Sequence, residues 1–87
     1  MSLNLSIEIS MYPLDSDYIP PIQNFIDNLN KFDNLKIITN SMSTQVSGDY
    51  DTVSTAVNNA IKEIMYEFSN RNKKVVFITK CLNADLL

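Results

Sequence analysis

The stretch Leu3–Leu14 constrains the fold more than any other feature of the chain, because apolar and polar residues alternate strictly in it from Leu3 to Tyr12. Leucine, isoleucine and methionine occupy every second position up to Met11, and the positions between them carry polar side chains or tyrosine. Successive side chains of a β-strand point to opposite faces, so the pattern predicts a strand with one apolar and one polar face. Such a strand fits a sheet that is covered on one side only. Pro13 has no amide hydrogen to donate, so we expect the strand to end there.

The composition argues against several functional classes. The chain has 87 residues, 45% of them hydrophobic, which predicts one globular domain over residues 1–87. It has no histidine, so the commonest general base and zinc ligand are both missing. Its single cysteine, Cys81, cannot form an intramolecular disulfide. We therefore expect a protein of the reducing cytoplasm that is not an enzyme and uses no cofactor or metal.

Charge and hydropathy bear on the partners. The formal net charge is -3, whereas binding to nucleic acid depends on clustered lysine and arginine. No apolar run approaches the roughly 18 residues that a membrane-spanning helix needs. The N-terminus also lacks the basic and apolar regions of a signal peptide. We therefore expect neither a nucleic-acid nor a membrane partner.

Two longer segments have the apolar spacing of three and four residues that is typical of amphipathic helices. The first is Ile19–Phe32, which follows a turn where Ser16 or Asp17 is a candidate N-cap. The second follows Asp49 or Asp51, either of which suits a helix N-terminus. Its predicted buried positions share one stripe: Val53, Ala56, Val57, Ala60, Ile61, Ile64 and Phe68.

Three further strands are predicted at Leu35–Met42, Ser43–Ser47 and Lys74–Leu82. In the resulting order, β-α-β-β-α-β, right-handed crossovers place both helices on one face of a four-stranded antiparallel sheet. We therefore predict an α+β fold, the ferredoxin-like sandwich, with the first and third strands in the centre. Gly48 is the only glycine, and we expect a backbone conformation there that other residues avoid.

Two segments resemble a known family. The first strand ends in a Ser-x-Tyr-Pro-Leu pattern, at Ser10 to Leu14. A second segment, with Met42 and Thr44, leads into a Gly-Asp helix start at Gly48 and Asp49. In these motifs and in the order of its elements, the chain resembles the thiamine-binding-protein family of ferredoxin-like domains, the YkoF-like group. The resemblance implies a non-enzymatic domain that binds thiamine or its hydroxymethylpyrimidine part and self-associates as a dimer or tetramer.

The candidate site is a set of polar side chains that should share the open face of the two central strands. They are Glu8, Ser10 and Tyr12 on the first strand, and Ser43, Gln45 and Ser47 on the third. A carboxylate and an amide can match the donor–acceptor edge of an aminopyrimidine, and a phenol can stack on its ring. The alternative is that this face is hydrated or forms a polar subunit contact, in a structural or regulatory oligomerisation module without a ligand.

Two other residues have open roles. Thr44, which should face the helices together with Val46, matches the family pattern and is included among the candidate ligand-binding residues, although a β-branched side chain also suits any strand. Lys80, near the end of the last strand, is either a functional ammonium or one of the lysines that protect edge strands from pairing.

Overall fold

The computed structural model describes residues 3–85. Residues 1, 2, 86 and 87, which the predicted domain of 1–87 includes, lie outside this range. The described elements follow one another as β1 (Asn4–Pro13), α1 (Ile19–Leu29), β2 (Lys36–Thr39), β3 (Thr44–Asp49), α2 (Tyr50–Asn70) and β4 (Val75–Leu82).

The four strands form one antiparallel sheet in the order β2-β3-β1-β4. The predicted ferredoxin-like fold is therefore confirmed, with β1 and β3 in the centre. In the register of the sheet, Glu8 lies opposite Gln45 of β3 and Lys80 of β4. Ile38 of β2 lies opposite the other side of Gln45.

The apolar face of β1 carries both helices, as the alternation predicts. Leu5, Ile7 and Ile9 are buried in a single core with residues of α1 and α2. The ring centroids of Phe25 in α1 and Phe77 in β4 lie 5.2 Å apart, so the first helix packs against the edge strand β4 through this aromatic contact. Ile61 of the predicted stripe is only partly buried. The other six stripe residues of α2 belong to the core: Val53, Ala56, Val57, Ala60, Ile64 and Phe68.

The two helices begin in different ways. Asp49 is the N-cap of α2, where its carboxylate accepts a hydrogen bond from the amide of Thr52 at 3.3 Å. The prediction of Ser16 or Asp17 as the cap of α1 is wrong, because the N-cap is Tyr18, which makes no side-chain capping bond. Pro20 and Pro21 lie in the first turn of α1, where amide groups have no helical partner, so the helix starts without a polar cap.

The structure favours glycine at position 48 for a reason that differs from the predicted one. Its φ is not positive, so the backbone does not need a glycine there. A Cβ atom at this position would instead lie 3.2 Å from the backbone carbonyl oxygen of Asn34 and 3.4 Å from Leu35 Cδ2. The close approach of the chain that leads into β2 therefore favours glycine at this position.

Candidate functional site

The face of the sheet opposite the helices, here called the open face, has a polar centre on β1, β3 and β4. Glu8 occupies the middle of this centre because β1 lies between the other two strands. Its side chain is 37% exposed and so remains accessible. The prediction that Glu8 points away from the helices is confirmed, which fixes the register on which the candidate site depends.

The two carboxylate oxygens of Glu8 have different surroundings. Oε2 accepts hydrogen bonds from the Ser43 hydroxyl at 3.2 Å and from Gln45 Nε2 at 3.4 Å. Oε1 lies 3.9 Å from the ammonium of Lys80. This last distance is longer than the usual 2.7–2.9 Å of a charge-assisted hydrogen bond, so Oε1 has room for a closer donor.

A cavity of about 180 Å³ lies beside this carboxylate. Glu8 and Gln45 form its polar wall, Lys80 lies at its β4 side, and Leu82 and Ser6 are at one end. It therefore combines a hydrogen-bond acceptor, an amide and an ammonium with apolar surface, the mixture typical of small-molecule sites.

The segment after β4 closes one end of the open face. We call Asn83–Asp85 the C-terminal strap. The carbonyl oxygen of Ala84 accepts a hydrogen bond of 2.7 Å from the Ser6 hydroxyl, and Asp85 pairs with Lys36 of β2 at 3.3 Å. The strap therefore crosses the sheet from one edge strand to the other. The residue pattern after the last predicted strand gives no sign of this role.

The strap explains why two serines on the open face are buried. Ser6 and Ser47 lie opposite each other in the β1–β3 ladder, and their hydroxyl oxygens are 2.6 Å apart. Ser6 is only 3% exposed and Ser47 is fully covered. Ser47 therefore shares the predicted face with Glu8 but lies under the strap.

Five of the predicted site residues form two groups on the open face. Glu8 and Gln45 line the cavity, and Ser43 is bonded to Glu8. Ser10 and Tyr12 lie farther along the same face of β1, opposite Ile78 and Val76 of β4.

Thr44 differs from the others because it lies on the opposite face of the sheet. It is 5% exposed, opposite Ile9 of the core, and its hydroxyl lies 3.1 Å from that of Thr39. Neighbouring residues of a strand point to opposite faces, so Thr44 cannot share a surface with Ser43 and Gln45. Thr44 therefore faces the helices, as predicted, and lies apart from the other candidate residues.

The site includes residues that the sequence argument did not select. The sequence left two roles open for Lys80, a functional ammonium or protection of an edge strand. Its register opposite Glu8 places its ammonium beside the site. Leu82 and Ser6 follow on the same faces of β4 and β1 at a spacing of two residues. The period of two in Lys74–Leu82 was the signal that could have identified Lys80 and Leu82 as one face.

Apolar side chains surround the polar centre on the outer strands. Val76 and Ile78 of β4 are 43% and 52% exposed, and Ile38 of β2 is 52% exposed. Tyr12 lies next to Val76 and is half exposed. The open face thus presents a polar middle with apolar flanks, which suits either a ligand or another protein surface.

Other features of the described residues bear on function. Within residues 3–85 no group of three or more histidine, cysteine, aspartate or glutamate side chains could hold a metal ion. No helix in the same range has the length and hydropathy needed to cross a bilayer.

Solved structures share this fold at low sequence identity. A Streptococcus pneumoniae protein has a TM-score of 0.80 at 18% identity, with 99% of this chain and 90% of that chain covered. A hypothetical protein from Methanocaldococcus jannascii has a TM-score of 0.77 at 24% identity, with 97% of this chain and 84% of that chain covered. A proposed thiamine biosynthesis or salvage protein from Thermotoga maritima has a TM-score of 0.75 at 14% identity, with 90% of this chain and 81% of that chain covered. These likenesses bear on the fold alone.

The family is established by the sequence. No curated protein matches the chain. The model of the YKOF-related family, however, matches residues 4–83, which span all six elements up to the beginning of the strap. The expected resemblance is therefore confirmed, and the chain belongs to the YKOF-related family.

Proposed function

We propose that this domain binds thiamine or its hydroxymethylpyrimidine part at the cavity beside Glu8, without converting it chemically. The observation that carries the proposal is the carboxylate of Glu8, which is fixed through Oε2 and open to a ligand donor through Oε1. An aminopyrimidine presents an N–H group beside a ring nitrogen. Glu8 can accept from the first and the amide of Gln45 can pair with the second.

The size of the cavity favours one ring. A cavity of about 150 Å³ in another protein holds benzene, so about 180 Å³ accommodates a single six-membered ring. The pyrimidine would fill the space between Gln45 and Leu82, and any second ring would extend over the open face towards Ser10 and Tyr12. Membership of the YKOF-related family and the likeness to a proposed thiamine salvage protein support the same ligand class.

The proposal is tested by calorimetric titration of hydroxymethylpyrimidine and thiamine into the wild type and Glu8→Gln. Loss of a hydrogen bond to a charged acceptor should weaken binding about tenfold or more. Glu63→Gln is the matched control because it removes the same charge from α2, on the other side of the sheet. Equal affinity of the wild type and Glu8→Gln would remove this carboxylate from the site.

A second candidate function is an oligomerisation module without a ligand. The exposed Val76, Ile78 and Ile38 around the polar centre favour it, because apolar side chains on one sheet face are typical of protein interfaces. The proposed self-association as a dimer or tetramer would then be the function itself.

Two measurements separate these candidates. A ligand that binds only the folded protein raises the melting temperature, so stabilisation by hydroxymethylpyrimidine supports the binding function. Absence of stabilisation, combined with a dimer or tetramer in sedimentation that Ile78→Glu dissociates, would favour the module. Val76 and Ile78 both face outwards, so a charged side chain at Ile78 should not disturb the core.

A further inference from the structure

Lys80 is a largely exposed residue at the edge of the site. Its side chain is 81% exposed, and its ammonium approaches Glu8 Oε1 only to 3.9 Å. It is also the only cationic side chain among the described residues that line the cavity. Lys36 of β2, on the same face, pairs with Asp85 of the strap. Lys80 therefore sets the positive charge at the mouth of the site.

The ammonium of Lys80 lies beside Glu8 Oε1, the same carboxylate oxygen that would accept a hydrogen bond from the ligand. A ligand N–H that reaches Oε1 replaces the ammonium at the shorter distance of a hydrogen bond. The displaced ammonium stays near the bound ligand because its strand position, opposite Glu8, does not change. An anionic substituent can then pair with it, whereas a permanently cationic substituent is repelled.

We propose that Lys80 determines the specificity of this site, and that the preferred ligand is an amino-substituted heterocycle carrying a phosphate or another anionic group. The inference rests on the proposed function, since it assumes that the heterocycle binds beside Glu8. It adds a preference for a negatively charged substituent on the heterocycle and identifies Lys80 as the residue responsible for that preference.

The experiment compares hydroxymethylpyrimidine with its phosphate ester by calorimetric titration at low ionic strength. We expect the wild type to prefer the ester about two- to fivefold, the size typical of an exposed ion pair. The preference should decrease as salt is added, because salt screens exposed charges. Lys80→Gln should remove the preference and bind thiamine, whose thiazolium is cationic, more tightly than the wild type does.

Lys62→Gln is the matched control because it removes one lysine charge from α2, on the helix side of the sheet. It should retain the preference for the ester. If Lys80→Gln keeps that preference while the wild type binds the unphosphorylated pyrimidine, this inference is wrong and the proposed function stands. If the wild type binds none of the three compounds, both are wrong.

Discussion

The hydroxyl of Ser6 donates a hydrogen bond of 2.7 Å to the backbone carbonyl of Ala84, which lies 78 positions later in the chain. The same hydroxyl lies 2.6 Å from that of Ser47, so one small side chain joins β1, β3 and the C-terminal strap. Part of a sheet face with no helix above it thereby becomes interior. The cavity beside Glu8 reaches Ser6 and Leu82, next to the strap.

Ser6→Ala should destabilise the fold, because it removes the donor to Ala84 and leaves the covered hydroxyl of Ser47 with a lost partner. Such a change in a buried network costs about 1–3 kcal/mol in the free energy of unfolding. Urea denaturation measures it. Ser10→Ala is the matched control on the same face of β1, where the side chain is less buried. Equal stability of the two variants would contradict the strap's structural role.

Thr44→Val should leave the affinity for hydroxymethylpyrimidine unchanged, because Thr44 faces the core on the opposite side from Glu8. It should lower the free energy of unfolding by about 1 kcal/mol through loss of the contact between the Thr44 and Thr39 hydroxyls. Ser43→Ala, one position earlier, should weaken the ligand instead, since Ser43 bonds to Glu8. Calorimetric titration distinguishes them, and a loss of affinity in Thr44→Val alone would place the site on the helix side.

Gly48→Ala should destabilise the protein although the backbone conformation suits alanine. The added Cβ would meet the carbonyl oxygen of Asn34 at 3.2 Å, and that backbone must shift to make room. Overpacking of this kind costs about 1–3 kcal/mol, and alanine's smaller unfolded-state entropy offsets about 0.4–1 kcal/mol. Thermal denaturation should therefore show a lower melting temperature. A variant at least as stable as the wild type would mean that the chain before β2 relaxes freely.

An ion-pair cluster joins the loops at the far end of β1. Asp15 lies 3.0 Å from the ammonium of Lys73 and 3.2 Å from the guanidinium of Arg71, and its side chain is only 7% exposed. Lys73 lowers the pKa of Asp15 below its ordinary value of 3.8, helped by the backbone amide of Asp17 and by Arg71, although desolvation acts in the opposite direction. The folded protein therefore binds a proton at Asp15 more weakly than the unfolded chain does.

This difference predicts how Asp15 affects stability with pH. Its contribution is complete above the unfolded value of 3.8 and is lost as the pH falls through the lower pKa of the folded state. Asp15→Asn should lower the melting temperature at neutral pH and reduce the loss of stability below pH 3.8. Melting curves from acid to neutral pH test this. Asp17→Asn, which keeps Asp15 and its two cations, should retain the acid dependence, and identical profiles for Asp15→Asn and the wild type would contradict the prediction.

The predictions from local pattern succeeded where a residue's direction depends only on its neighbours in sequence. The period of two placed Glu8 on the open face and Ile9 in the core, since adjacent strand residues must point to opposite sides. The spacing of three and four likewise identified the buried stripe of α2. The same alternation already implied that Thr44 faces away from Gln45.

Other features depended on contacts between distant parts of the chain. The position of Lys80 beside Glu8 follows from the β1–β4 register, and the need for glycine at 48 follows from the path of Asn34. The strap over Ser6 likewise depends on where the last strand ends. Local sequence determined the strands, the helices and the faces they bury, because these follow from backbone periodicity. Tertiary structure alone decided which of these polar groups contact one another on the open face and how the strap covers Ser6, because those contacts require the assembled sheet.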